Sequence, residues 1–169
     1  MPTPFKTHVA KDATVIAALN AVMNAGYTFY SWQGHAPLPL FDDLRVAVDL
    51  AGTPAVIALL STLLGTAATR AKLADGRVDV SGVHAPLLFR LLPRGIVLRA
   101  LVLAALATGL LVMPLWLTLV ASGVTAVSVA TAVGLKVAIT VVMTLLIVPL
   151  VITACLADVQ PGTTPNFAL

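Results

Sequence analysis

The sequence predicts an all-α integral membrane protein, a polytopic bundle of four transmembrane helices with both termini in the cytoplasm. Three observations carry this. The 169-residue chain is 59% hydrophobic and only 10% charged, with a mean hydropathy of +1.02, whereas a soluble domain is about a quarter charged. Residues 14–32, 46–69, 95–120 and 134–157 form four apolar stretches, each long enough to cross a hydrocarbon core of about 30 Å. Lysine and arginine fall unevenly between these stretches, and that bias sets orientation.

The cytoplasmic N-terminal segment, residues 1–13, carries Lys6 and Lys11. A signal peptide would also begin with basic residues. Here, however, the apolar run outlasts an h-region and ends in Tyr27, Phe29, Tyr30 and Trp32, without a small-residue cleavage site. It reads as a retained first helix with an interfacial aromatic belt. Projection at 100° per residue puts Ala17, Asn20, Ala21, Asn24, Ala25, Tyr27, Thr28 and Ser31 on one side. Val15, Ile16, Leu19, Val22, Met23, Phe29 and Tyr30 take the other. Small and polar side chains permit close helix approach and interhelical hydrogen bonds, so the asparagine face should point into protein.

The loop that follows contains Pro37, Pro39, Asp42 and Asp43. It predicts a turn and then a helix start, with Asp42 as N-cap and Asp49 favourably placed against the helix dipole. In the second helix Ala51, Pro54, Ala55, Ala58, Ser61, Thr62, Gly65 and Thr69 share a face opposite Val56, Ile57, Leu59, Leu60, Leu63 and Leu64. Ser61, Gly65 and Thr69 make a small-residue series suited to tight helix contact.

The cytoplasmic loop, residues 70–94, divides in two. Ala71 to Gly82 is polar, with a turn at Asp75-Gly76. His84 to Arg99 interleaves leucines with Arg90, Arg94 and Arg99, which predicts a segment in the headgroup layer with these arginines on lipid phosphates. Pro93 is expected at the start of the third helix. That helix presents Ala100, Ala104, Ala107, Thr108, Pro114 and Thr118 on its inner side. The fourth lines up Lys136, Thr140 and Thr144. Pro54, Pro114 and Pro149 predict kinks rather than breaks. Residues 158–169 form a cytoplasmic tail. The tetrapeptide at His35–Leu38 recurs at His84–Leu87, a coincidence expected by chance in so biased a composition.

Eight basic residues flank the predicted inner side (Lys6, Lys11, Arg70, Lys72, Arg77, Arg90, Arg94, Arg99), against Arg45 and Lys136 outside. This predicts a multi-pass protein of the cell inner (plasma) membrane, N-in and C-in. The pI near 9.4 then points to anionic headgroups as partner, not to nucleic acid.

Candidate chemistry is sparse. Asn20 and Asn24, one turn apart near mid-membrane, form the best polar site, because an unpaired amide in hydrocarbon costs several kcal/mol. Lys136 and Asp49 lie at similar outer depth and within pairing reach, although the face projection turns Asp49 towards the large-residue side. His8, His35 and His84 all fall outside the spans, which argues against haem. Cys155 is the only cysteine, Glu is absent, and no metal-ligand spacing, phosphate loop or nucleophile–base constellation occurs. No catalytic residue, cofactor or metal is therefore expected. The sequence predicts a non-catalytic protein that works through helix–helix contacts, as an accessory or assembly subunit of a larger complex or as a homo-oligomer. The alternative is a permease-like carrier or channel component for a neutral or lipophilic solute, with Asn20 and Asn24 at its site.

Overall fold

The structure, a computed structural model, describes residues 2–35, 37–41, 45–81, 83, 84, 86, 89 and 91–159. Its architecture is mostly helical. Helix α1 runs over Phe5–Trp32 and α2 over Arg45–Ala74. A third rod is built from α3 (Ile96–Ala107), a π turn (Thr108–Val112) and α4 (Met113–Ala121), and α5 spans Val129–Val159. Three of these rods, Val46–Ala74, Ile96–Ala121 and Val129–Val159, are long and apolar enough to cross a membrane. Helix α1 has comparable length at 28 residues, but two asparagines and the charged residues of its first turns dilute its apolarity. Helices α1, α2 and α5 overrun the stretches read from hydropathy, most at the start of α1, because helical hydrogen bonding continues into polar chain where composition has already changed; the third rod starts and ends one residue later than its stretch.

Helix α5 is the hub. It packs against both α1 and α2, and α3 packs on α2. Its Met143, Ile147, Val151 and Cys155 join Ile57, Ala58, Leu103 and Ala107 in one core cluster. A second cluster unites Phe5 and Ala13 with Val148, Ile152 and Leu156. At Gly65 an added Cβ would stand 3.4 Å from Val151 Cγ1, within ordinary contact distance. Threonines on the inner faces add small volume; Thr144 returns its hydroxyl to the Thr140 carbonyl at 2.9 Å, whereas the buried hydroxyls of Thr28, Thr62, Thr66 and Thr140 make no such bond.

Short backbone pairings tie the loops at each end. β1 (Thr3–Pro4) runs parallel to β3 (Val78–Asp79), and β2 (Leu38–Pro39) antiparallel to β4 (Ala126–Val127). The first pairing sits at the end that holds the start of α1, the α2–α3 loop and the close of α5. At the other end Leu38, Leu40, Val46, Leu50 and Ala132 form a small cluster, and Phe41 meets Trp116 edge-on with centroids 5.5 Å apart.

The sorted faces of α1 and α2 agree with burial at most positions. Ala17 and Thr28 are buried, while Val15, Leu19, Val22, Met23, Phe29 and Tyr30 are exposed. Tyr27, expected inside, is exposed, and Ile57, expected outside, is buried. In the third rod Ala100 and Ala107 are buried as expected, but Pro114 and Thr118 are exposed. The π turn explains this. Met113 N–H donates to Thr108 O, one residue further back than in an α-helix, and the extra residue rotates every later side chain out of phase with a uniform projection. The expectation that Arg99 contacts headgroups is overturned: its side chain is fully buried. Pro93 precedes the helix, whose N-cap is Gly95. Asp158, assigned to a tail, is in the last turn of α5. Asp42, Asp43 and Arg90 lie outside the described residues, as does the tail from residue 160.

Candidate functional site: a cleft between α1 and α2

Because α1 and α2 each pack on α5 but not along one another, a cleft opens between them with α5 as its floor. It holds two cavities. The one towards the β2–β4 end, outer in the orientation expected from the sequence, has about 410 Å³ and is lined by Asn20, Asn24 and Tyr27 of α1, by Asp49, Thr53 and Ser61 of α2, and by Lys136. The inner one, of about 320 Å³, is more apolar: Ile16, Leu19, Leu60, Leu64, Val148 and Val151 line it, with Asp12 and Thr69 at its end. Asn20, Leu60 and Ser61 border both. Together the cavities run from Asp12 to Tyr27, about 22 Å at 1.5 Å per residue.

The asparagines stand where the two cavities meet. Asn20 Nδ2 donates to Thr144 Oγ1 at 3.0 Å, which ties α1 to α5. Asn24 Nδ2 donates to the Asn20 carbonyl at 2.9 Å, within its own helix. Asn20 therefore has a structural partner, whereas Asn24 spends its donor locally and faces the cleft. Ser61 borders the cleft with a half-buried side chain. Gly65 presses on Val151 and Thr69 is buried, so much of the small-residue series of α2 is used inside the chain itself.

At the outer mouth Lys136 Nζ lies 2.6 Å from both carboxylate oxygens of Asp49 and 4.7 Å from the Tyr27 ring centroid. The structure thus brings together the two residues that the face projection had set apart. A lysine stem is long enough to curl around a helix edge, and rigid projection of Cβ positions ignores that reach. The Thr53 hydroxyl donates to Asp49 O at 2.7 Å.

The inner mouth holds a group that the spacing of residues along the sequence did not single out. Lys72 Nζ lies 2.7 Å from Asp12 Oδ2, and His8 Nδ1 lies 3.5 Å from Asp12 Oδ1, one helical turn away. His8 is buried, and burial holds its pKa below the usual 6.5 against the opposing pull of Asp12. The i, i+4 spacing of His8 and Asp12 was legible; Lys72, 60 positions further on, was not.

Arg99 lies outside the cleft. Its Nη2 donates to both oxygens of Asp158, at 2.8 and 3.0 Å, and its Nε to Pro93 O at 2.8 Å. Arg70 adds a second cation at 3.0 Å from the same carboxylate and donates to Arg94 O at 2.7 Å. Arg94 itself is exposed. Cys155 is buried against this cluster. These contacts clamp the α2–α3 loop to the end of α5.

Among the described residues no three His, Cys, Asp or Glu side chains gather as a metal site. No protein-family model matches the chain, and no curated protein and no solved structure matches it either.

Proposed function

We propose that this is a four-span protein of the cell inner membrane, N-in and C-in, that performs no catalysis and binds a lipophilic molecule in the α1–α2 cleft, as a permease-like carrier or carrier component does. One observation carries the reading: α1 and α2 stand apart over the floor of α5, leaving a cleft with an apolar inner half and an amide-bordered middle. Cavities of a few hundred Å³ between helices, mostly apolar with a few fixed polar groups, suit small ligands. In this reading α1 is the fourth span, and its asparagines explain its lower apolarity. A spanning helix is about 10 Å across and 30 Å long, too bulky to seat within cavities of 410 and 320 Å³.

The accessory-subunit or homo-oligomer reading is second. Exposed Leu19, Leu60 and Leu64 on the cleft rim favour it, because a neighbour's helix lying over the cleft would cover them. The two separate by experiment. Gentle extraction followed by native mass spectrometry should show a retained lipophilic molecule, and the purified protein should pass such a solute in liposomes. Asn24→Leu should reduce retention and flux without lowering the melting temperature, since its bond is within α1. A preparation with no retained molecule and no flux, but with a stoichiometric membrane partner or a stable self-assembly, would establish the second reading instead.

A further inference from the structure

We infer that the inner half of the cleft and the basic cavity at its mouth together bind an amphiphile with a phosphate head and a long apolar chain. This rests on the proposed ligand-binding role of the cleft and specifies the ligand's chemistry.

A third cavity, of about 290 Å³, adjoins the inner mouth and is lined by Thr3, His8, Lys11, Asp12, Lys72 and Arg77. Asp12 borders both this cavity and the apolar one above it, so a polar chamber and an apolar channel meet at one residue. Three cations line it with one carboxylate, and burial pushes the His8 pKa down, disfavouring its charged form. The lining side chains carry a net charge of about +2, offset in part by Asp75 beside Arg77, which suits a phosphate monoester of about −1.5 to −2 at neutral pH.

Other features add to the positive potential. Helix α1 begins at this cavity with no acidic residue in its first turn and no side-chain cap on its N-terminal N–H groups. Lys6, His8 and Lys11 occupy its first two turns, an arrangement the helix dipole disfavours and a bound anion would offset. The β1–β3 pairing fixes the chamber wall: Thr3 N–H donates to Arg77 O at 2.9 Å. The Arg77 side chain pairs with Asp75 in an exposed contact at 3.1 Å, which competes weakly. Lys11 is exposed and free to swing in. Ile16, Leu19, Leu64 and Val148 then line the path that a single apolar chain would follow.

The test uses the full chain in maltoside detergent and native mass spectrometry. The probes are oleoyl lysophosphatidate, monooleoylglycerol (the same chain without phosphate) and inorganic phosphate. Lysophosphatidate should bind at least about tenfold more tightly than monooleoylglycerol, the worth of one charge-assisted hydrogen bond. Inorganic phosphate should bind far more weakly than either. Lys11→Gln with Arg77→Gln should abolish the preference for phosphate while leaving monooleoylglycerol uptake and the melting temperature unchanged, since both side chains are exposed. Leu64→Trp, which narrows the channel, should weaken both lipids. Equal binding of the two lipids would overturn the phosphate assignment and leave the cleft reading intact. Inorganic phosphate binding as tightly as lysophosphatidate would mark a free-anion site and overturn the amphiphile. Binding of neither lipid would overturn both readings.

Discussion

Arg99 and Asp158 show what a buried charge demands. Arg99 has no exposed surface, and its guanidinium is satisfied by a carboxylate that also serves Arg70. Removing one partner of a buried pair costs about 3–5 kcal/mol, because the other charge is left behind. Asp158→Ala strands two arginines and Arg99→Met strands none, so the first should lower the melting temperature more than the second. His8 gives a pH dependence. Its pKa is lowered in the fold, so below pH 6.5 the unfolded chain takes up a proton that the native chain refuses. Stability should therefore fall as pH drops from about 6.5 towards the lower, native pKa. Melting curves at successive pH values should show this slope, and His8→Phe should flatten it. The residues hardest to read from sequence were these buried ions. Hydropathy sends every arginine near a helix end to the headgroups, and Asp158, 59 positions from Arg99, declares itself as a partner only in three dimensions.

At the scale of elements, periodicity was informative wherever the helix kept its regular turn. In α1 and α2 the bulky and small faces separate nearly as projected, because 100° per residue holds along both. In the third rod it fails after Thr108, where the π turn inserts a residue. Deleting Gly109, whose surroundings are open, should restore α geometry and bring Thr118 to the inner side. A spin label at Thr118 would then change from lipid-accessible in the native chain to occluded in the deletion. Gly65 tests the packing of α2 on α5. An alanine Cβ meets Val151 at ordinary contact distance, so Gly65→Ala should be within about 1 kcal/mol of neutral. Gly65→Leu should cost about 1–3 kcal/mol by overpacking, read as a lower melting temperature. The cleft itself was only half legible. The asparagine face was apparent, but that α1 and α2 would part over α5 follows from the order in which helices pack, which no single helix records.

For the whole molecule, orientation is the claim with the widest reach. The native cysteine is buried, so introduced cysteines can be read against a low background. Gln33→Cys should label from the outer side of intact cells, and Asp75→Cys only after the inner side is opened. The reverse pattern would invert the proposed topology and move the basic chamber away from the cytoplasmic leaflet.

The central place of α5 also bears on how the chain is made. Its hub helix leaves the ribosome after the three rods it joins, and among the described residues α1 packs along no other long helix. In the proposed four-span topology, the first three rods wait in the lipid without a keystone until residue 129 has entered the membrane. A nascent chain arrested there should be open to proteolysis, and a separately expressed α5 segment should rescue it.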